Sequence, residues 1–175
     1  MIHYSDECGV YLLPLIRSTW APKGKTPQIL EKWGREHLSL IAAISEKGAL
    51  HYQCWIDSID GHRVALFLKD LCYHYRKYDI SLIWDGAKIH RSEAVKQFLR
   101  QRAKRIELHL QPAYSPELNA CEMLWAYLKM RLANRVFLDI DELQEAVRDE
   151  LETIKKNKKL IQSFFQHKEV AFFLN

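Results

Sequence analysis

No stretch of this sequence is apolar for the roughly 18 residues a bilayer crossing needs. The N-terminus, Met1-Ile2-His3-Tyr4-Ser5-Asp6-Glu7, has neither the basic start nor the apolar run of a signal peptide. These absences predict a cytosolic chain with no membrane partner, which in a bacterium means a location beside the nucleoid. Cysteine is scarce, with four in 175 residues. Cys8, Cys54, Cys72 and Cys121 are scattered and form no Cys-x-x-Cys pair, which argues against a disulfide framework or a zinc finger and for reduced thiols. Internal repeats, low-complexity tracts and a Gly/Ser-rich linker are also missing, so residues 1–175 are expected to form a single domain.

Hydrophobic residues make up 48% of the chain and charged residues 27%, which excludes intrinsic disorder and fits one well-filled core. Net charge is +4 and says little alone. Lys23-Gly24-Lys25, Arg100-Gln101-Arg102-Ala103-Lys104-Arg105 and Lys155-Lys156-Asn157-Lys158-Lys159 are denser basic clusters. Such clusters bind phosphate by counterion release, and they are equally common on solvated helix faces.

Hydrophobic periodicity divides the chain into elements. Cys8 to Ile16 reads as a buried strand, and Trp20 to Pro27 is rich in turn residues. His37 to Ser45 and Ala49 to Ile56 read as strands joined by a turn at Glu46-Lys47-Gly48. From Gly61 to Lys77 apolar residues fall at helical spacing. Ile80 to Trp84 is a short strand ending at Asp85. Ser92 caps a helix with Val95, Phe98 and Leu99 on one face. Ile106 to Leu110 is another strand, broken by Pro112, Ser115 and Pro116. Leu118 to Asn134 predicts a strong helix, followed by Asp141 to about Lys156 and a shorter helix. The order predicts an α/β protein with a mixed sheet flanked by helices. An RNase H-like fold, with three antiparallel strands and then parallel strands, has this order, as do other mixed folds.

Three acids stand out by position. Asp6 precedes or opens the first strand, Asp85 follows the strand Ile80 to Trp84, and Glu122 sits in the helix beyond Pro116. If the two strands are neighbours, both aspartates meet at one end of the sheet and the helix can aim Glu122 at them. Converging carboxylates repel one another, and a divalent cation relieves that repulsion. Two such ions about 4 Å apart can activate an attacking oxygen and stabilise a leaving oxygen in phosphoryl displacement. Taken singly, each acid is better explained by a turn, a cap or a solvated face.

The words around these acids carry a resemblance. Trp84-Asp85-Gly86-Ala87-Lys88-Ile89-His90-Arg91-Ser92 resembles the second-aspartate motif of DDE transposases of bacterial insertion sequences related to the mariner superfamily. Leu110-Gln111-Pro112-Ala113-Tyr114-Ser115-Pro116-Glu117-Leu118-Asn119-Ala120-Cys121-Glu122, with Trp125 and Lys129, resembles their third motif. Thirty-six residues lie between Asp85 and Glu122, close to the family's separation. Ser5-Asp6-Glu7 with Arg17 to Gly24 resembles the first-aspartate region. Gly86 and Ala120 depart from the Asn and Pro frequent in relatives.

The resemblance implies an RNase H-like catalytic domain with Asp6, Asp85 and Glu122 as catalytic metal ligands for Mg²⁺ or Mn²⁺, two ions in all. It implies water attack at transposon ends, then attack by the freed 3′-hydroxyl on target DNA, with no covalent protein–DNA intermediate. DNA is the implied partner, Lys88, His90, Arg91 and Lys129 are candidate DNA contacts, and a homodimer is implied. Glu7, on the opposite side of an extended strand from Asp6, is expected outside the metal shell, and Trp125 is expected to pack beneath the site. Relatives carry a helix-turn-helix segment before the core, whereas here five residues precede Asp6, so the chain is expected to be a piece of a longer protein, a second reading frame joined to a DNA-binding partner, or a decayed remnant. Two alternatives stand beside the enzyme: a catalytically silent DNA-binding or oligomerising remnant, and an RNase H or Holliday-junction type nuclease on the same fold.

Overall fold

The computed structural model describes residues 1–29, 36–102, 104–112, 115–166 and 170. Ala103 of the basic cluster and Ala113-Tyr114 of the third motif lie outside the described residues. Five strands, β1 (Ile2–Tyr11), β2 (His37–Ile44), β3 (Leu50–Trp55), β4 (Ile80–Trp84) and β5 (Ile106–Leu110), form one sheet in the order β3-β2-β1-β4-β5. β1–β2 and β2–β3 are antiparallel, while β1–β4 and β4–β5 are parallel. This is the RNase H-like mixed sheet.

Helices cover both faces. α1 (Gly61–His74) and α2 (Glu93–Arg102) lie on one side; α3 (Ala120–Leu132), α4 (Ile140–Lys156) and α5 (Lys158–Phe164) lie on the other. β2 shows why two covers are needed, because Leu38, Leu40, Ala42 and Ile44 join the core under α3–α5 while Ile41 and Ala43 join the core under α1 and α2. A strand apolar on both faces is stable only between two layers.

Local chemistry sets the helix ends. Asp60 and Asp139 accept hydrogen bonds from the backbone N–H groups of Arg63 and Glu142, which satisfies donors the helix itself leaves unpaired. α4 has Asp141 and Glu142 in its first turn and Lys155 and Lys156 in its last, complementing the helix dipole. The β2–β3 turn needs Gly48, whose φ is +78° and where an added Cβ would stand 2.7 Å from the Lys158 carbonyl oxygen. Any side chain there meets both left-handed strain and backbone.

Two boundaries differ from the sequence reading. The first strand runs Ile2–Tyr11, not Cys8 to Ile16, so Asp6 stands inside β1 rather than before it. Polar His3, Ser5, Asp6 and Glu7 hid the strand from a hydrophobicity pattern, and Pro14, which cannot donate a ladder hydrogen bond, follows its end. The third-motif helix begins at Ala120 rather than Leu118, because Pro116–Leu118 forms a tight 3-10 turn and Asn119 is extended. Beyond β1 the chain to Ile29 is irregular, with Trp20 fully exposed. Asn134, at φ 60°, pins this arm through backbone and side-chain bonds to Leu15 and Arg17.

Candidate active site

β1 and β4 are parallel neighbours with Tyr4 opposite Ile83. Two residues further along, the same register sets Asp6 level with Asp85, just past the end of β4. α3 crosses this point, and three bonds to β1 hold it there. The Asn119 side chain accepts from the Cys121 N–H at 3.1 Å and donates to the Ser5 carbonyl at 3.4 Å. The Cys121 thiol donates to the Tyr4 carbonyl at 3.0 Å. The Trp125 indole N–H donates to Asp6 Oδ2 at 3.1 Å. Glu122 is in the first turn of the helix so anchored.

Asp6, Asp85 and Glu122 line one cavity of about 510 Å³. Its other walls are Gly86, Ala87 and Arg91 after β4, and Gln111, Pro112, Ser115, Pro116 and Asn119 before α3. Gln111 secures that second wall, its backbone N–H donating to the Trp84 carbonyl at 2.8 Å and its side chain to the Leu118 carbonyl at 3.0 Å. Gly86 allows Arg91 to lie close: Arg91 Nη2 is 2.9 Å from where a Cβ at position 86 would stand.

The electrostatics of the cavity are one-sided. Burial, followed by the charges of Glu122, Glu7 and Asp85, pushes the Asp6 carboxyl up to about 8, against a smaller downward pull from the Glu7 backbone N–H. On the same strand, burial pushes the Cys8 thiol up while the Lys129 charge pulls it down.

Glu7 points to the other face of β1. There His90 Nε2 lies 2.9 Å from Glu7 Oε1, and His90 Nδ1 lies 2.8 Å from Asp85 Oδ1 and 3.1 Å from the Asp85 carbonyl oxygen. The ring stacks on Trp84 with centroids 3.9 Å apart. Burial alone would lower its pKa, but the bonds to Glu7 and then Asp85 outweigh burial and raise it. The sequence leaves His90 either as a contact to DNA or to a water near the metal, or as a helix-start histidine with a local hydrogen bond. Its side chain is 1% exposed and faces inward, with both ring nitrogens engaged. Lys88 and Arg91, in the 3-10 turn Lys88–Arg91, are exposed.

Sequence reasoning missed two links: the Trp125–Asp6 hydrogen bond and the Glu7–His90–Asp85 chain. The spacing Asp6-Glu7 on a strand was a signal for the second, since alternate faces imply separate jobs. Among the described residues, the group of ligand-type atoms lying within 4.8 Å of one another is Glu7, Asp85 and His90. Asp6, Asp85 and Glu122 share the cavity without closing to that separation.

The cavity's donor set is carboxylate oxygen. Burial first, and then the charges of Glu122, Glu7 and Asp85, push the Asp6 carboxyl up to about 8, and a hard divalent cation would offset both the desolvation and the repulsion. The residues fit Mg²⁺ or Mn²⁺. A larger cavity, about 790 Å³, opens along the β3 edge between α1 and α4. It holds the His51–Asp70 pair but no converging acids, so its size does not make it the reactive centre.

Comparison with known proteins agrees with this architecture. The Tc3 transposase of Caenorhabditis elegans is 28% identical over 169 residues, covering 90% of this chain and 48% of that protein. The Mos1 mariner paired-end complex with Mg superposes with a TM-score of 0.75 at 18% identity, covering 97% of this chain and 52% of that one. The catalytic domain of Mos1 mariner transposase superposes with a TM-score of 0.63 at 17% identity, covering 98% of this chain and 81% of that one. At such identities the structures establish the fold. The chain spans about half the length of the Tc3 relative and of the Mos1 chains in those complexes. Its sequence matches the family described as DDE superfamily endonuclease over residues 1–144, and the chain belongs to that family.

Proposed function

We propose that this chain is the catalytic core of a DDE transposase, cutting DNA at transposon ends and transferring the freed 3′-hydroxyl into target DNA. The observation that carries the reading is the meeting of Asp6, Asp85 and Glu122, from two parallel strands and a crossing helix, in one cavity. These three would hold the divalent metal, two ions by analogy with two-metal phosphoryl transfer. When bound, the ions lower the pKa of an attacking water or hydroxyl and stabilise the leaving oxygen.

The chain's own residues do the rest. Trp125 holds Asp6 in place through its indole N–H. Asn119 fixes the start of α3 and with it the direction of Glu122. Arg91 on the cavity wall and exposed Lys88 stand where a phosphodiester would approach, and Lys129 adds positive charge along β1. DNA is the partner in this reading. A second copy of the chain and a helix-turn-helix segment, separate or fused, complete the assembly, at a nucleoid location. The similar Mos1 structures, paired-end complexes with Mn or Mg and one with the left transposon end, support DNA and divalent metal as the ligands. Among the described residues no helix is long and apolar enough to cross a membrane.

The test is cleavage of DNA carrying the terminal repeats that flank the gene, with RNA–DNA hybrid and branched DNA as competing substrates. Mn²⁺-dependent nicking at the repeat ends is expected, and Asp85→Asn should reduce it to background with an unchanged circular dichroism spectrum. Preference for the hybrid or the branch would move the protein to a nuclease role. Binding without nicking on any substrate would make it a silent remnant.

A further inference from the structure

The two oxygens of Asp85 are used differently by the fold. Oδ1 accepts from the Ala87 backbone N–H at 3.0 Å and lies 2.8 Å from His90 Nδ1. Oδ2 has no hydrogen-bond partner among the described residues, and the half-exposed side chain borders the cavity shared with Asp6 and Glu122. His90 is itself fixed. Its ring rests on Trp84, Nε2 sits 2.9 Å from Glu7 Oε1 and Nδ1 3.1 Å from the Asp85 carbonyl oxygen, so each nitrogen faces an oxygen. Consecutive residues of β1 thus divide the work, Asp6 facing the cavity and Glu7 facing its underside.

We infer that Glu7 and His90 are positioning residues that, through the Glu7–His90 hydrogen bond and the His90 contacts to the Asp85 carbonyl oxygen and Oδ1, lock Asp85 so that it offers a divalent cation one oxygen, Oδ2. The inference rests on the reading of Asp85 as a metal ligand. A carboxylate free to rotate can present either oxygen or both. The Ala87 N–H on Oδ1 and the His90 ring 2.8 Å from it oppose the two-oxygen mode, and the His90 Nδ1 bond to the Asp85 carbonyl oxygen fixes the backbone that carries the side chain, restricting rotation that would otherwise be lost on binding. Mg²⁺ demands near-octahedral geometry with short bonds, whereas Ca²⁺ accepts more ligands and often takes both oxygens of a carboxylate. A locked single oxygen therefore favours Mg²⁺ or Mn²⁺ over Ca²⁺. Glu7, Asp85 and His90 do not themselves make a vacant metal site, although their ligand atoms lie within 4.8 Å of one another. A cation there would have to break the hydrogen bonds of a ring that is 1% exposed.

The experiment is Mn²⁺ and Ca²⁺ binding to the whole chain, by calorimetry and by pulsed EPR of the Mn²⁺ form. Asp85→Asn tests the underlying reading, and wild-type Mn²⁺ affinity in that variant removes the ligand and the lock together. With that control weakened, Glu7→Ala and His90→Ala should each weaken Mn²⁺ binding about 10–100-fold. The double variant should lose no more than either single one. Glu7→Gln, whose amide oxygen still accepts from His90, should lose less than Glu7→Ala, and Mn²⁺/Ca²⁺ selectivity should narrow in the same order. Wild-type affinity and selectivity in both single variants, or losses that add, would overturn the inference while leaving Asp85 as ligand. The EPR signal of the unaltered chain decides even if the alanine variants do not fold. No directly bound nitrogen is expected, and coupling from a coordinated imidazole would make His90 a ligand and end the proposal.

Discussion

Asp6 shows how strongly one side chain can be conditioned by its setting. An aspartate in water ionises near pH 4; here burial and three acidic neighbours keep it protonated to about 8. Between those values the folded chain holds a proton that the unfolded chain has released, so metal-free stability is full below pH 4 and falls as pH rises through 8. Asp6→Asn removes this dependence and keeps an oxygen to accept from Trp125. It should stabilise the metal-free protein at pH 8.5 by on the order of 1–3 kcal/mol and change little at pH 4, measured by urea unfolding at both pH values. Trp125→Phe keeps the ring's bulk and deletes the donor to Asp6 Oδ2. It should cost about 1–2 kcal/mol and raise the Mn²⁺ concentration needed for half-maximal nicking about 10-fold. A metal requirement equal to wild type would restrict Trp125 to packing.

Individual elements were legible to different degrees. β2, β3, β4 and β5 are short apolar runs bounded by turns, and their predicted limits lie close to the observed ones. β1 was displaced because its centre serves the site: Ser5, Asp6 and Glu7 have polar partners that periodicity cannot see. At α3 the sequence marked Asn119 as a cap but could not show that the same amide also reaches the Ser5 carbonyl on β1. That second bond makes a local cap into a tether between helix and sheet. Asn119→Ala should therefore destabilise the protein by about 1–2 kcal/mol and reduce nicking. Asn119→Asp, which can accept from the Cys121 N–H but cannot donate to Ser5, should recover the cap contribution and not the tether. Equal stability of the two variants in urea would show that the tether contributes nothing.

For the molecule as a whole, the site is a consequence of topology. The order β3-β2-β1-β4-β5 makes β1 and β4 neighbours although more than sixty residues separate them, and the crossing of α3 adds the third acid. The metal would then join two strands and a helix that otherwise meet through packing and a few hydrogen bonds. Mn²⁺ should raise Tm by several degrees at a concentration about 100-fold above its Kd, as expected for a ligand that binds only the folded state. Asp6→Asn and Asp85→Asn should each abolish most of that rise in a thermal melt, and an undiminished rise in either variant would take that residue out of the metal site.

The sequence by itself determined the alternation of strands and helices, the kinds of residue able to hold a cation, and the motif words around Asp6, Asp85 and Glu122. These are local properties, set by side-chain type and spacing along the chain. Tertiary structure alone decided that Asp6 is buried among other carboxylates, that His90 turns inward to join Glu7 with Asp85, and that Trp125 reaches Asp6. Each of those depends on groups brought together across the fold, and hydrogen-bond and charge energies fall off so steeply with distance that no one-dimensional pattern encodes them.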